Sequence, residues 1–253
     1  MTTGATDLAE RLARVCSRIA AAESTAGRVP GSVRLLLATK TLAVATVRAA
    51  LLADIAATAT TAGSARRVLV GENRVQELVA KAPELADLAP ELHVIGPVQS
   101  NKVNAALRWA SCVQSIDSPA LADRLARRCA ATDRTLDVLV QVNVSGEPTK
   151  HGVAPQDALD LVRAVAGHPS LRLRGFMTIG AHTAHEREVR AGYAALRDLR
   201  DKVAYSGEAG TDDAVELSMG MSRDLDSAVA EGATIVRVGT AVFGARPPFP
   251  PTD

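Results

Sequence analysis

The sequence has few aromatic residues and almost no net charge. Only 2% of its 253 residues are aromatic, and 29 Lys and Arg stand against 28 Asp and Glu. Proteins that bind nucleic acid rely on basic surfaces and on aromatic side chains that stack on bases. We therefore expect no nucleic-acid partner.

Cysteines and long apolar runs are also scarce. The N-terminal stretch MTTGATDLAERLARVC mixes acids with bases and has no uninterrupted apolar core, which argues against a signal peptide and a membrane span. Neither the cysteines nor the histidines have the spacing of a redox or metal motif. These features predict a cytoplasmic protein with no metal and with three reduced thiols: Cys16, Cys112 and Cys129.

Strand-like and helix-like patterns alternate along most of the chain. Short apolar, β-branched runs occur eight times, at 34–39, 68–71, 92–96, 112–116, 137–144, 172–179, 214–218 and 234–238. Amphipathic patterns typical of helices lie at 43–54, 73–81, 100–109, 118–131, 155–167, 185–203 and 222–231, and a leading helix is predicted at about 6–26. Such alternation is typical of α/β proteins with parallel sheets.

Two folds share this alternation, the doubly wound sheet and the closed eightfold barrel. Eight strands with one helix each in a chain of this length match the barrel more closely. No linker rich in Gly, Pro or Ser divides the chain. We predict one TIM (β/α)8 barrel over 1–253, with an extra N-terminal helix and linker in 1–30, a loose loop at 57–67 and a tail at 247–253.

The first apolar run, RLLLATK, ends on Lys40. Functional residues of TIM barrels lie at the C-terminal ends of the strands. Because side chains alternate along a strand, Lys40 shares a face with Leu36 and Ala38. It is either a solvated lysine at a strand end or a lysine in the barrel mouth. In the mouth, desolvation would favour the neutral, nucleophilic amine that forms imines.

Arg237 raises a similar question in the last run, ATIVRVGT. It has the same parity as Ile235 and Gly239, which would place the guanidinium one step below the mouth. Burying this charge without a partner would be costly. Arg237 is therefore predicted either to pair with an acid on a neighbouring strand or to donate to a polar atom of a ligand.

The segments after the seventh and eighth runs have features of a phosphate site. TIM barrels often bind phosphate with these two loops. In SMGMSRD, Gly220 allows close approach of the backbone, and Ser222 is predicted to cap a helix that begins at Arg223. After the eighth run, Gly239 and Thr240 offer an amide and a hydroxyl. Each feature alone is also explained by a turn or a cap, but both loops together favour phosphate.

A lysine able to form an imine, a buried arginine and a phosphate site suit pyridoxal 5′-phosphate (PLP). The sequence resembles the YggS/PROSC-type pyridoxal phosphate homeostasis proteins, whose single domain is related to the N-terminal barrel of alanine racemase. The resemblance runs from about residue 33 to 246. Its motifs are ATKT at 38–41, GENRVQE at 71–77, HVIGPVQSNK at 93–102, QVNVSGEPTKHG at 141–152, LRGFMTIG at 173–180 and LSMGMSRDLDSAVAEGATIVRVGTAVFGAR at 217–246.

This resemblance implies a role for each candidate site residue. Lys40 would form the internal aldimine, and Arg237 would face the pyridine nitrogen. The phosphate would be held by Ser222, Gly239 and Thr240. The pocket would be lined by Asn73, by the segment after the third strand, including Ser100, and by Met219 along the ring. The chain departs from the family at Arg74, where an aromatic residue is usual, and at 54–67, which is longer than usual.

The resemblance also implies reversible PLP binding that maintains vitamin B6 homeostasis without catalytic turnover. An arginine beside the pyridine nitrogen disfavours its protonation, so carbanion chemistry would need a second base. In the racemases a tyrosine from a second domain supplies that base. Here Tyr193 and Tyr205 are predicted in or just after the sixth helix, away from the mouth, and no length remains for a second domain.

Three functions remain open at this stage. The favoured one is a monomeric PLP carrier that serves PLP-dependent apoenzymes. The second is a PLP-dependent enzyme acting on amino acids, such as a weak racemase. The third is a barrel enzyme for a phosphorylated sugar, with Lys40 as its Schiff-base lysine.

Overall fold

Eight parallel strands close into a barrel in chain order. The computed structural model describes residues 3–59, 68–183 and 185–244. The strands are β1 (Arg34–Ala38), β2 (Leu69–Glu72), β3 (Leu92–Val94), β4 (Cys112–Ile116), β5 (Leu136–Gln141), β6 (Leu171–Met177), β7 (Glu216–Ser218) and β8 (Ile235–Val238). Each overlaps one predicted run, and β1 pairs with β8 to close the sheet. The predicted TIM barrel is confirmed.

Helices surround the barrel and connect its strands. They are α1 (Thr3–Thr25), α2 (Val44–Ala59), α3 (Val75–Leu85), α4 (Val103–Leu107), α5 (Pro119–Ala130), α6 (Ala158–Ala166), α7 (Glu186–Ala204), α8 (Leu225–Ala230) and α9 (Thr240–Phe243). The predicted N-terminal helix is therefore present as α1. Most of the predicted loop at 57–67 and all of the tail at 247–253 lie outside the described residues.

Side chains of β1 divide between two apolar regions. Leu35 and Leu37 belong to the main core between the sheet and the helices. Leu36 is fully buried inside the barrel, where it clusters with Leu69, Ile95 and Ile235, and Ala38 packs against that cluster. The alternation predicted for β1 is confirmed, so Leu36 and Ala38 face the barrel interior.

The N-terminal helix α1 packs on the barrel beside α2, α8 and α9. Its buried leucine, valine and isoleucine side chains are Leu8, Leu12, Val15 and Ile19. These are spaced by three and four residues and form one apolar stripe, as expected for an amphipathic helix. The helix thereby reaches the loops that follow β7 and β8.

The described ranges contain neither a membrane-spanning helix nor a cluster of potential metal ligands. None of the helices there has the length and hydropathy needed to cross a membrane. Across the same ranges, no three or more His, Cys, Asp or Glu side chains are grouped so as to hold a metal ion.

Candidate functional site

Arg237 lies on β8, and Lys40 and Gly239 follow the neighbouring strands β1 and β8. Arg237 is opposite Leu36 in the β1–β8 pair. A Cβ atom added to Gly239 would lie 3.0 Å from the carbonyl oxygen of Ala38. Lys40 follows Ala38 by two residues, in the turn that ends β1. The predicted arginine and one predicted phosphate loop thus lie beside the strand that leads to Lys40.

The residues on both sides of Lys40 are hydrogen-bonded to acidic side chains. The hydroxyl of Thr39 donates to Glu72 Oε1 at 2.6 Å, and the backbone N–H of Thr41 donates to Glu77 Oε2 at 2.6 Å. Thr39 therefore faces the helices. Lys40 itself is half-buried and lies in the turn that follows β1.

The two acids share a basic partner, Lys81 of α3. Its ammonium lies 2.7 Å from Glu72 Oε1 and 3.2 Å from Glu77 Oε2. The sequence alone does not show whether Glu72 and Glu77 pair with a base or frame the mouth. They pair with a base, which sequence reasoning did not identify.

Arg237 is 5% exposed, and its guanidinium bonds two neutral groups. Nη1 donates to the Ser218 hydroxyl at 2.9 Å, and Nη2 donates to the Thr178 carbonyl at 2.6 Å. The alternative of an ion pair with an acid on a neighbouring strand is wrong for the part of the chain that the structure describes. Burial lowers the pKa of Arg237, but a guanidinium stays charged in proteins. With five N–H donors it retains capacity for a further acceptor.

A chain of hydrogen bonds extends from Arg237 across the barrel interior. Because the guanidinium can only donate, Ser218 accepts from it and donates in turn to Gln114 Oε1 at 2.6 Å. This orientation leaves Gln114 Nε2 to donate to His93 Nδ1 at 2.7 Å. Ser218 and Gln114 are fully buried and His93 is almost so. These hydrogen bonds fix the guanidinium of Arg237 from the side of the barrel interior.

Replacing Gln114 by Leu should destabilise the barrel and loosen Arg237. The substitution leaves the Ser218 hydroxyl and His93 Nδ1 buried without their partner, and each unsatisfied group costs about 1–3 kcal/mol. Chemical denaturation of the variant and of the parent chain measures the loss of unfolding free energy. The matched control is Gln76→Leu, the same change at an exposed position of α3, which should leave the stability nearly unchanged. Equal unfolding free energies of the parent protein and Gln114→Leu would show that these hydrogen bonds do not stabilise the barrel.

The conformation of the loop after β7 depends on one glycine and two hydrogen bonds. Gly220 has φ = 88°, and a Cβ atom there would lie 2.3 Å from the Cβ of Ala228. The carboxylate of Asp224 accepts the N–H of Met221 at 2.6 Å. Arg18 of α1 donates to the Ser222 carbonyl at 2.7 Å. This loop is therefore fixed in a conformation that only glycine at position 220 fits.

The predicted start of the helix after β7 is wrong. Ser222 was expected to cap a helix beginning at Arg223, but α8 begins at Leu225, and Asp224 occupies the N-cap position without a side-chain cap bond. The reason is that Asp224 bonds Met221 and the hydroxyl of Tyr193 instead, the latter at 2.7 Å. Residues 221–224 form a turn, and the half-buried Ser222 stays part of the mouth.

Tyr193 lies in α7, as predicted, but its hydroxyl reaches the loop after β7. The side chain is fully buried. Burial, with Asp224 close by, holds the pKa of Tyr193 well above its usual range. Tyr193 was expected to lie away from the mouth, and this is wrong for its hydroxyl. The hydroxyl approaches from the helix side and bonds Asp224 in the loop after β7.

The other predicted residues occupy different positions around the mouth. Asn73 is half-buried, and its carbonyl oxygen would lie 2.3 Å from a Cβ atom on Gly96. Thr240 is exposed at the start of α9. Ser100 is exposed just before α4 and lines a surface cleft together with residues of α4 and α5. Met219 is fully buried in the main core, so only its backbone is available on the mouth side.

Similarity to known proteins covers almost the entire chain. The family described as "Alanine racemase, N-terminal domain" matches residues 27–247. The "Pyridoxal phosphate homeostasis protein" of Pseudomonas aeruginosa is 43% identical, over 94% of this chain and 96% of that protein. The protein of the same name from Aquifex aeolicus is 37% identical, over 94% of this chain and 97% of that protein.

Solved structures with the same fold include both relatives and distant proteins. A protein of unknown function from Bifidobacterium adolescentis has a TM-score of 0.87 and 40% identity, covering 96% of this chain and 97% of that chain. PipY of Synechococcus elongatus, solved with PLP bound, has a TM-score of 0.76 and 33% identity, covering 94% of this chain and 100% of that chain. Alanine racemase of Clostridium difficile has a TM-score of 0.67, but its 13% identity shows the fold alone.

Proposed function

Since this chain belongs to the family of pyridoxal phosphate homeostasis proteins, we propose that it binds PLP at the barrel mouth as a reversible Schiff base with Lys40. By holding and releasing PLP, it maintains the intracellular supply of this form of vitamin B6. The observation that carries the proposal is that the strand leading to Lys40 pairs with the strand of Arg237, and that its last residue, Ala38, closely approaches Gly239. A lysine just after β1, a buried cation on β8 and a glycine-containing loop after β8 support a single site at this side of the mouth.

The residues at the mouth fit the parts of PLP. A phosphate needs N–H and hydroxyl donors that the backbone can bring close, and the glycines after β7 and β8 allow that approach. Ser222 and Thr240 add hydroxyls. Arg237 can donate to the pyridine nitrogen while keeping its bonds to Ser218 and Thr178.

The bound cofactor supplies an aldehyde carbon that accepts an amine. The Lys40 nitrogen adds to that carbon, the carbonyl oxygen leaves as water, and addition of water reverses the step. The amine must lose its proton before it can add. Arg237 disfavours protonation of the pyridine nitrogen, because a second positive charge beside it is costly.

We propose that the protein performs no catalytic turnover on amino acids. An efficient general base has a pKa close to the working pH. The phenol of Tyr193 has a raised pKa and donates its proton to Asp224, so it does not serve as a base. Tyr205 is 87% exposed and follows α7. Within the described residues, the tyrosines thus offer no second base to the mouth.

Exchange of the Cα proton separates a carrier from an enzyme. The PLP-loaded protein is mixed with alanine or serine in deuterated water, and the Cα proton is followed by NMR. We expect no exchange above that of free PLP at the same concentration. Enzyme-like exchange that disappears in Lys40→Ala would instead establish a PLP-dependent enzyme acting on amino acids.

We further propose that the recipients of PLP are PLP-dependent apoenzymes and that the chain acts as a cytoplasmic monomer. Three free cysteines support a reducing compartment. Light scattering of the purified protein tests the monomer, for which we expect one chain mass of 26.3 kDa. A mass of twice that value at micromolar concentration would contradict it.

A further inference from the structure

A buried cluster of charges lies directly behind Lys40. Thr39, Glu72 and Lys81 are 0%, 1% and 8% exposed. Glu72 Oε2 is buried and has no hydrogen-bond partner among the described residues. Burying charged groups and leaving one oxygen unsatisfied is costly. An apolar packing at this place would avoid that cost, so the cluster calls for an explanation.

All three N–H donors of Lys81 have acceptors within this cluster. Its ammonium lies 2.7 Å from Glu72 Oε1, 2.8 Å from the Thr39 carbonyl oxygen and 3.2 Å from Glu77 Oε2. A lysine ammonium has three donors and accepts nothing. Lys81 therefore joins α3 to the end of β1 and to two acids at once.

Through these contacts the cluster fixes the chain immediately before and after Lys40. Thr39 is bonded at its carbonyl by Lys81 and at its hydroxyl by Glu72. On the other side, Glu77 accepts the N–H of Thr41. Thr41 has φ = 65°, a left-handed conformation that is uncommon for residues other than glycine. The unfavourable backbone at Thr41 is thus stabilised by the same cluster that holds Thr39.

We propose that Lys81, together with Glu72 and Glu77, positions Lys40 for addition to an aldehyde. This inference rests on the proposed function and gives a positioning role to three residues that hold the chain on either side of Lys40. A lysine side chain has four rotatable bonds, so its amine reaches a fixed point only when the backbone direction at its Cα is set. Small errors in the position of a reacting group reduce rates strongly, up to about 100-fold for 1 Å.

The charges of the cluster depend on Lys81. Burial raises the pKa of Glu72, whereas hydrogen bonds from Lys81 and Thr39 act in the opposite direction. Glu77 faces the same ammonium from α3, and its charge also raises the pKa of Glu72. Without Lys81, two acids would remain side by side with no cation between them. The contacts to Thr39 and Thr41 would then loosen together.

The decisive experiment compares Lys81→Met with Lys81→Arg in the full chain. Each protein is mixed with PLP, and the growth of the imine absorbance band gives a rate constant. Affinity for pyridoxine 5′-phosphate, which lacks the aldehyde, is measured separately. We expect Lys81→Met to slow imine formation by tenfold or more, on the order of the effect of misplacing a reacting group. Affinity for pyridoxine 5′-phosphate should change by less than about twofold, because the phosphate loops are untouched. Lys81→Arg, which keeps the cation, should recover most of the rate.

Two further variants keep this test decisive. Lys202→Met makes the same change at an exposed lysine of α7 and should leave the rate unchanged. If Lys81→Met does not fold, Glu77→Gln replaces it, because Glu77 is partly exposed and an amide oxygen can still accept from Thr41. We expect a smaller loss of rate in Glu77→Gln, together with slower labelling of Lys40 by trinitrobenzenesulfonate in protein without PLP.

The outcomes also separate this inference from the proposed function. Unchanged imine formation in folded Lys81→Met would overturn the positioning role, as would an equal loss of affinity for pyridoxine 5′-phosphate, which indicates general loosening. If the parent chain itself forms no imine with PLP, the proposed function fails, and the inference fails with it.

Discussion

Replacing Lys40 by Ala abolishes the PLP adduct that borohydride traps, while part of the affinity for PLP remains. The adduct requires an amine at the mouth, and alanine supplies none. The loops after β7 and β8 are unaffected by the change, so the contacts proposed for the phosphate remain. Charge-assisted hydrogen bonds of this kind are worth about 1.5–3 kcal/mol each. We therefore expect complete loss of trapping with a measurable residual affinity.

Absorbance after gel filtration, with and without prior borohydride reduction, measures the trapped fraction. Matched controls are Lys102→Ala and Lys150→Ala. The ammonium of Lys150 lies 2.7 Å from both Glu147 Oε1 and the Gly180 carbonyl, so its role is to join the loops after β5 and β6. Both controls should keep the adduct. Full trapping in Lys40→Ala would assign the adduct to another lysine.

Replacing Gly220 by Ala weakens PLP binding by on the order of tenfold to a hundredfold, or about 1.4–2.8 kcal/mol. Gly220 has φ = 88°, and a Cβ atom there would lie 2.3 Å from the Cβ of Ala228. A non-glycine residue in the left-handed region costs about 1–2 kcal/mol even without a clash. The loop after β7 must therefore shift, and with it the Ser222 hydroxyl that is proposed to hold the phosphate.

The matched control for this loop is Gly207→Ala. Gly207 also has a positive φ, 70°, but no atom lies within 4 Å of its added Cβ. Alanine at position 207 would therefore meet the same backbone strain as alanine at position 220. It would not clash with a neighbouring atom, and it would lie away from the barrel mouth. Titration of each variant with PLP, read by the imine band, should show weak binding only for Gly220→Ala. Similar affinities in the two variants would show that the loop after β7 does not hold the phosphate.

Much of the fold is predictable from the sequence because each strand is marked by a short apolar run with alternating side chains. The run RLLLATK is short, apolar and bounded by polar residues, and its alternation correctly separates Leu36 from Leu35 and Leu37. The same parity places Arg237 inside the barrel, where it is buried. These properties depend on neighbours in the chain, so the sequence alone reveals them.

The remaining features depend on contacts between distant segments. The start of α8 could not be predicted, because Asp224 bonds Tyr193, which is 31 residues away. The i, i+4 spacing of Glu77 and Lys81 is typical of a surface pair on a helix. Only the fold buries that pair behind Lys40 and adds Glu72 to it. The partners of Arg237 likewise come from two other strand ends.

The most direct test of the account is to locate the adduct in the parent chain. The protein is loaded with PLP, reduced with borohydride and digested, and the peptides are identified by mass spectrometry. We expect a pyridoxyl phosphate group on Lys40 at close to one per chain, with the other lysines unmodified. A modification found mainly on Lys102 or Lys150, or no modification at all, would contradict it.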